Sequence, residues 1–315
     1  MERRLLTCLL GSIILVTLGA CGPVDPENNS NQGNLNNQNQ VGHDAGTNQN
    51  QGDATVDNCL EQARYIYVVD SANGFHRFDP QAAPAAAFTQ IADLACPTSG
   101  SPNSMAISRD GYAYVSYGEV DWLGEYLCDG VYQVNIVTGQ CVGATPFACG
   151  SQGFDKFGMG YATDNANTDN DRLYIGNSLG TQLGTLDVAS GAVTMIGNLP
   201  IQGGEFTGNS NGELWGFFPY ATPPTVHQID KANGAILRSF PLNSLPSIGE
   251  ATSAAWAFAF WGGSFYLFYM LSPPDLNTRV YRIDNEGVLT THIDDTGTQI
   301  VGAGVSTCAP LIAPN

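Results

Sequence analysis

Two pentapeptides carry the spacing of a nucleophilic serine. Both "GNSLG" at 176–180 and "GNSNG" at 208–212 fit G-x-S-x-G, in which a sharp strand-to-helix turn exposes the serine for acyl transfer. That chemistry needs a helix after the serine. Ser178 is followed instead by the strand-like "TLDV", and Ser210 lies between two short strand-like runs. With 37 glycines in the chain, such matches arise from composition. The run "DNANTDND" at 164–171 spaces Asn165, Asn167, Asp169 and Asp171 like the oxygen donors of a calcium loop. It lacks the Gly at the sixth position and the Glu at the twelfth, so it reads as a polar hairpin loop. His76 and His227 occupy matching points of a repeat, which marks them as structural, and His292 ends an outer strand. The remaining polar candidates are Asn103, Asp155 and Glu205, each near the start of an inner strand; Glu250 falls several residues too early to join them. Such side chains either bind a ligand at the end of a channel or cap turns by accepting backbone hydrogen bonds.

The elements that must position these residues are strands. Short β-branched and aromatic runs alternate with Gly, Asn, Asp and Pro turns, and there is no convincing amphipathic helix. One phrase recurs: "HRFDPQAA", "YQVNIVTG", "GTLDVASG", "HQIDKANG" and "YRIDNEG". Its Asp or Asn accepts from backbone N–H groups two or three residues on, and its Gly takes the positive-φ position that closes a bulged hairpin. The anchors Asp79, Asn135, Asp187, Asp230 and Asp284 are spaced by 56, 52, 43 and 54 residues. A period near fifty in an all-β chain predicts a propeller blade of four strands. Four blades read out in full, as "SMAIS", "YAYVSY", "GVYQVN" and "QCVGAT" do for the second. The first lacks its inner strand, and "GAGVST" at 302–307 is the strand left over. The expectation is a five-bladed β-propeller whose first blade is completed by the C-terminal strand, with a Cys59–Cys308 disulfide replacing the missing hairpin. Small residues in the inner strands ("MAIS", "GMGYA", "FTGN", "AFAF", "GAGV") suit a narrow, crowded axis.

Ahead of the strands, "MERRLLTCLLGSIILVTLGAC" has Arg3 and Arg4, an apolar run too short to span a bilayer, and "LGAC". The last resembles a bacterial lipobox and implies cleavage after residue 20 and lipidation of Cys21; Gly22 rather than Asp favours outer-membrane sorting. Residues 21–58, nearly all Asn, Gln, Gly, Asp and Thr, predict a disordered tether averaging about 35 Å end to end. The propeller domain then covers 59–308, with a short tail at 309–315. A net charge of −18 makes nucleic acid and bare anionic lipid poor partners. The remaining Cys96, Cys128, Cys141 and Cys149, behind an export signal, predict disulfides in an oxidising compartment. A regular hairpin in the second blade brings Cys149 beside Cys128 and leaves Cys96 for Cys141. A simple count of faces puts the latter two at opposite edges of the disc and argues for 96–128 with 141–149.

The phrases "FGMG" at 157–160, "WAFAFWGG" at 256–263 and "GAGVSTCAP" at 302–310 resemble a family of secreted propeller-like lipoproteins of Gram-negative bacteria. The resemblance covers 59–310 and implies the propeller, the envelope location and the pairings 96–141 and 128–149. It implies no activity. The expected function is a non-enzymatic binding module, held to the membrane by its lipid and displaying loops to a glycan, peptide or protein. No cofactor is required by this reading. The alternative is a hydrolase similar to calcium-dependent propeller lactonases and esterases, with the metal at the channel mouth. The long connection "GEVDWLGEYLCDG" at 118–130 sets Trp122 and Tyr126 among Glu119, Asp121, Glu125 and Asp129, on the face shared by Asn103, Asp155, Glu205 and Tyr220. An exposed aromatic with flanking carboxylates suits a sugar ring or a cationic or peptide ligand; the alternative is that Trp122 folds down and covers the blade.

Overall fold

Each copy of the recurring phrase closes on itself. In the computed structural model, which describes residues 59–166, 168–245, 254–271 and 277–314, Asn135 Oδ1 accepts from Val137 and Thr138 N–H at 2.9 and 3.1 Å. Asp187 does the same with Ala189 and Ser190, and Asp284 with Glu286 and Val288. Asp79 and Asp230 each hold one such bond, to Gln81 and Ala232. The glycine then turns the chain: Gly139, Gly191, Gly234 and Gly287 have φ between 69° and 87°, a region that disfavours any residue with a Cβ.

These turns link the two outer strands of every blade. Blade one is β1 (Ile66–Asp70), β2 (Gly74–Phe78) and β3 (Phe88–Asp93). Blade two is β4 (Ser101–Ile107), β5 (Tyr112–Val120), β6 (Tyr126–Asn135) and β7 (Cys141–Ala144). Blade three is β8 (Phe157–Thr163), β9 (Asp171–Asn177), β10 (Gln182–Leu186) and β11 (Val193–Asn198). Blade four is β12 (Glu205–Gly208), β13 (Leu214–Phe218), β14 (Thr225–Ile229) and β15 (Ile236–Pro241). Blade five is β16 (Ala254–Trp261), β17 (Ser264–Leu271), β18 (Arg279–Ile283) and β19 (Leu289–Ile293). The last strand, β20 (Ile300–Gly304), pairs antiparallel with β1 and completes blade one from inside. The described residues therefore form five four-stranded antiparallel sheets, a five-bladed propeller closed by its C-terminal strand.

β20 starts two residues earlier than "GAGVST" and ends at Gly304. Beyond it Ser306 Oγ donates to Ala63 O at 2.6 Å and Thr307 Oγ1 to Asp171 at 2.7 Å, so these hydroxyls are bonded to neighbouring loops and the backbone leaves the ladder. Cys308 bonds Cys59 where the other blades have a tight hairpin.

The inner strands β4, β8, β12, β16 and β20 contact one another in a closed ring. Small residues make that spacing attainable. A Cβ on Gly158 would lie 2.2 Å from Gly204 O, and one on Gly160 2.6 Å from Phe206 C. Outside this ring five apolar clusters fill the five wedges between neighbouring blades. Fully buried rings anchor them, among them Phe78 against Phe268 and Phe217 against Tyr269. Burial of each such ring contributes about 1.5–3 kcal/mol.

Cys96 bonds Cys141 and Cys128 bonds Cys149, which corrects the face count. Neighbouring strands rotate by about 20–25°, so an outer strand lies about 60–75° from the inner one. The end of β3 is thereby carried across to the turn of the next blade, where a Cβ on Gly139 would sit 2.4 Å from Ala92 Cβ. Residue 96 then reaches residue 141. The expectations for Cys21, the 1–20 signal, the 21–58 tether and Glu250 lie outside the described residues.

Candidate functional site

One end of the central channel opens into a cavity of about 180 Å³ lined from all five blades. Val301 comes from β20, Pro102 and Asn103 from β4, Lys156 and Ser178 from the ends of blade three, Glu205 from the start of β12 with Gly204 just ahead of it, and Ala255 and Trp256 from β16. Two of these are bulge residues. The β4–β5 register shifts between Pro102 and Ser104, and the β20–β1 register shifts opposite Val69 and Asp70, so Asn103 and Val301 are each an extra residue in an inner strand. Bulges re-aim side chains and end pairing.

Glu205 is 5% exposed at the base of the cavity. Ser104 Oγ donates to its Oε2 at 2.9 Å and itself accepts Met159 N–H at 3.2 Å. Burial pushes the Glu205 carboxyl well above the usual range; the Ser104 bond and the charge of Lys156 oppose that shift. Burial also holds the Lys156 ammonium below its ordinary value, against the attraction of Glu205. Lys156 Nζ lies 5.1 Å from the Tyr126 ring centroid. Among the described residues it makes no hydrogen bond and no ion pair within 4 Å.

Asn103 and Glu205 therefore share the mouth, with Asn103 inside its strand rather than ahead of it. Asp155 does not line the cavity; it lies close enough to Tyr126 to add to the shift of that hydroxyl, which burial pushes up to about 12. Tyr220 stands at the rim, half exposed, edge-on to Trp256 at 5.6 Å and 85°. Lys156, Ser104 and Trp256 escaped the sequence reading. The available signal was that Lys156 is one of two lysines and immediately precedes "FGMG".

The 118–130 connection is a ribbon rather than a loop. β5 and β6 stay paired out to Val120 and Tyr126 because β-branched and aromatic residues continue the ladder. Asp121 closes the tip by accepting from Leu123 and Glu125 N–H at 2.8 and 2.9 Å. Trp122 is 89% exposed there, flanked by Val120 and Leu123, both more than 60% exposed, and so does not cover the blade. The base is braced twice. Cys128 is tied to Cys149, and the Asp129 carboxylate accepts from Thr98 Oγ1 and from Ser99 and Gly100 N–H.

The other motifs serve the fold. Ser178 precedes β10 and Ser210 lies in the β12–β13 turn, so neither has the helix of a nucleophile elbow. The carboxylates of the 164–171 run are held by cations: Asp171 and Asp169 by Arg109, Asp164 by Arg172. His76 contacts Asp70 at 3.2 Å and His227 contacts Ser239 at 2.8 Å. Among the described residues no three His, Cys, Asp or Glu side chains converge as a metal-holding group. One buried carboxylate beside a lysine does not fit calcium, which takes six to eight oxygen ligands.

No protein-family model matches the chain, and no curated protein aligns with it. Among solved structures, a chain of a nidogen/laminin complex is similar over 79% of this chain and 99% of its own, at 11% identity and a TM-score of 0.50. A protein of unknown function from Bacteroides thetaiotaomicron matches over 72% of this chain and 57% of its own, with 14% identity and a TM-score of 0.40. Regucalcin, a calcium-binding protein from Agrobacterium tumefaciens, matches over 78% of this chain and 75% of its own, at 13% identity and a TM-score of 0.41. At such identities the likeness is one of fold: a propeller scaffold, with the site left to this chain's own residues.

Proposed function

We propose that the chain is a non-enzymatic binding module of the cell envelope, carried by a lipid on Cys21 and the 22–58 tether, which docks a protein partner on the face bearing the channel mouth. The carrying observation is Trp122, 89% exposed at the tip of a ribbon braced by the Cys128–Cys149 disulfide. A rigid ribbon presenting an aromatic side chain loses little conformational freedom on association. Glu119, Asp121 and Glu125 surround Trp122 and match a cationic surface. The nidogen/laminin complex is a precedent for a chain of similar fold within a protein–protein assembly.

Trp122→Ala is the test. Its melting temperature stays within about 1 °C of the parent, since an exposed side chain contributes little to stability, while capture of envelope proteins is lost. Equal capture by both forms, or loss only of a glycan on an array, overturns the protein-docking reading. The anchor is tested separately: Cys21→Ala abolishes membrane partition and azido-palmitate labelling, and a variant that still sediments with membranes places the anchor elsewhere.

A further inference from the structure

The channel mouth is built as a small-molecule site distinct from the ribbon tip. Its cavity of about 180 Å³ is below the usual range for drug-sized ligands and slightly above the roughly 150 Å³ that holds a benzene ring. A single six-membered ring with substituents is the right scale. Two inner strands spend a bulge there, at Asn103 and Val301, which opens the ring of strands at one end and turns both residues into the cavity wall.

The wall chemistry narrows the class. Lys156 is the one cation among the described residues that line the cavity, and none of them gives it an acceptor. The Asn103 amide and the Ser178 hydroxyl also line it and make no side-chain hydrogen bond to a described residue. Three donor groups from blades two and three with no hydrogen-bond acceptor among the described residues thus face one small space, which suits an oxyanion and neighbouring hydroxyls. Trp256, steadied by Tyr220, supplies an aromatic wall, the surface on which the C–H face of a sugar ring packs. Burial disfavours a charge on Glu205 and so weakens its repulsion of an anion; a bound carboxylate would also oppose the depression of Lys156. Outside the mouth the charge is adverse. With a net charge of −18 and the acidic ribbon beside it, a polyanion is repelled, and a ligand bringing a single negative group to Lys156 is favoured.

We propose that the channel mouth binds a single uronic acid residue, its carboxylate on Lys156, its hydroxyls on Asn103 and Ser178, and its ring against Trp256. The ligand is either the free acid or the end of an otherwise neutral glycan, and both present the same group.

The full chain is titrated by calorimetry with D-glucuronate, D-glucuronamide and D-glucose at millimolar concentration. Glucuronate binds at least about tenfold more tightly than its amide, the factor expected for one charge-assisted contact. Lys156→Gln removes that difference and Lys156→Arg keeps most of it. Trp122→Ala leaves it unchanged, so this proposal and ribbon docking fail separately. A neutral disaccharide capped by glucuronate that binds more tightly than the monosaccharide identifies the chain end as ligand; equal binding identifies the free acid. Indifference to amidation, binding of glucose alone, no binding by any sugar, or loss of glucuronate binding in Trp122→Ala with Lys156→Gln unaffected overturns it. The comparison of acid with amide needs no variant, so misfolding cannot mask the result.

Discussion

At the scale of single residues, Glu205 shows how burial sets chemistry. It is enclosed where β8 and β12 approach most closely, and a Cβ on Gly158 would lie 2.5 Å from its Oε2. Its folded pKa is raised well above the unfolded value, near 4.3 in model peptides. The stability it contributes is therefore complete below that unfolded value and is lost as pH rises through the folded one. His227 and His292 act in the opposite sense. Burial lowers both, with Arg282 adding to the shift at His292, so their contribution is present above about pH 6.5 and is lost as pH falls. Glu205→Gln keeps an acceptor for Ser104 and removes the ionisable group. Urea unfolding across pH 5 to 9 is expected to show the variant gaining on the parent toward alkaline pH, with the acid-side loss unchanged. A variant whose stability runs parallel to the parent at every pH would mean that Glu205 ionises freely in the fold.

At the scale of elements, the Asx–Gly turn is the repeated unit of construction. In blade four Asp230 Oδ1 accepts from Ala232 at 2.9 Å while Gly234 N–H closes on Asp230 O at 2.8 Å. The carboxylate is exposed only in part, and its bonds pin a hairpin against the preceding blade, where a Cβ on Gly234 would meet Asn198 O at 2.8 Å. Asp230→Ala is expected to cost about 1 kcal/mol, read as a lower urea midpoint with unchanged slope. Gly234→Ala should cost more, since it adds positive-φ strain at 82° to that contact. If Asp230→Ala is neutral, the glycine alone makes the turn. The β5–β6 ribbon belongs to the same scale: pairing carries it beyond the blade edge, and its two basal ties hold the tip in place.

At the scale of the whole molecule, closure decides stability. Cys59 and Cys308 are 249 residues apart, and the disulfide sits where β20 meets β1. In the chain-entropy account a crosslink spanning that loop contributes about 5 kcal/mol. Replacing both cysteines by serine is expected to lower the unfolding free energy by several kcal/mol and leave a folded ring. Deleting 301–315 should cost more, because it also removes Ala303 and Val305 from the wedge between blades five and one. Non-reducing peptide mapping of the parent must recover the 59–308 peptide pair; any other partner for either cysteine would contradict the closure. Arg109 supports the ring at the same end, bonding Asp169 and Asp171 of blade three and Thr307 beside Cys308.

What the sequence alone determined is what short-range chemistry determines. The Asx–Gly turns are contacts between residues two to four apart, so their recurrence near every fifty residues was enough to count the blades, and the blade lacking a strand was enough to assign the terminal one. Cys59 and Cys308 follow from that count. The pairing of Cys96 with Cys141 followed from the hairpin of blade two and from the resemblance but not from the count of faces, because it depends on twist accumulated over four strands and that count treats the sheet as flat. The mouth lies further still from local reading. Asn103 and Glu205 were visible as polar residues near inner strands, but Lys156, Ser104 and Trp256 join them only through the convergence of five strands and two bulges. No pattern along a single strand encodes which side chains meet across an axis, and only the closed ring brings a lysine, an amide and an aromatic wall around one small cavity.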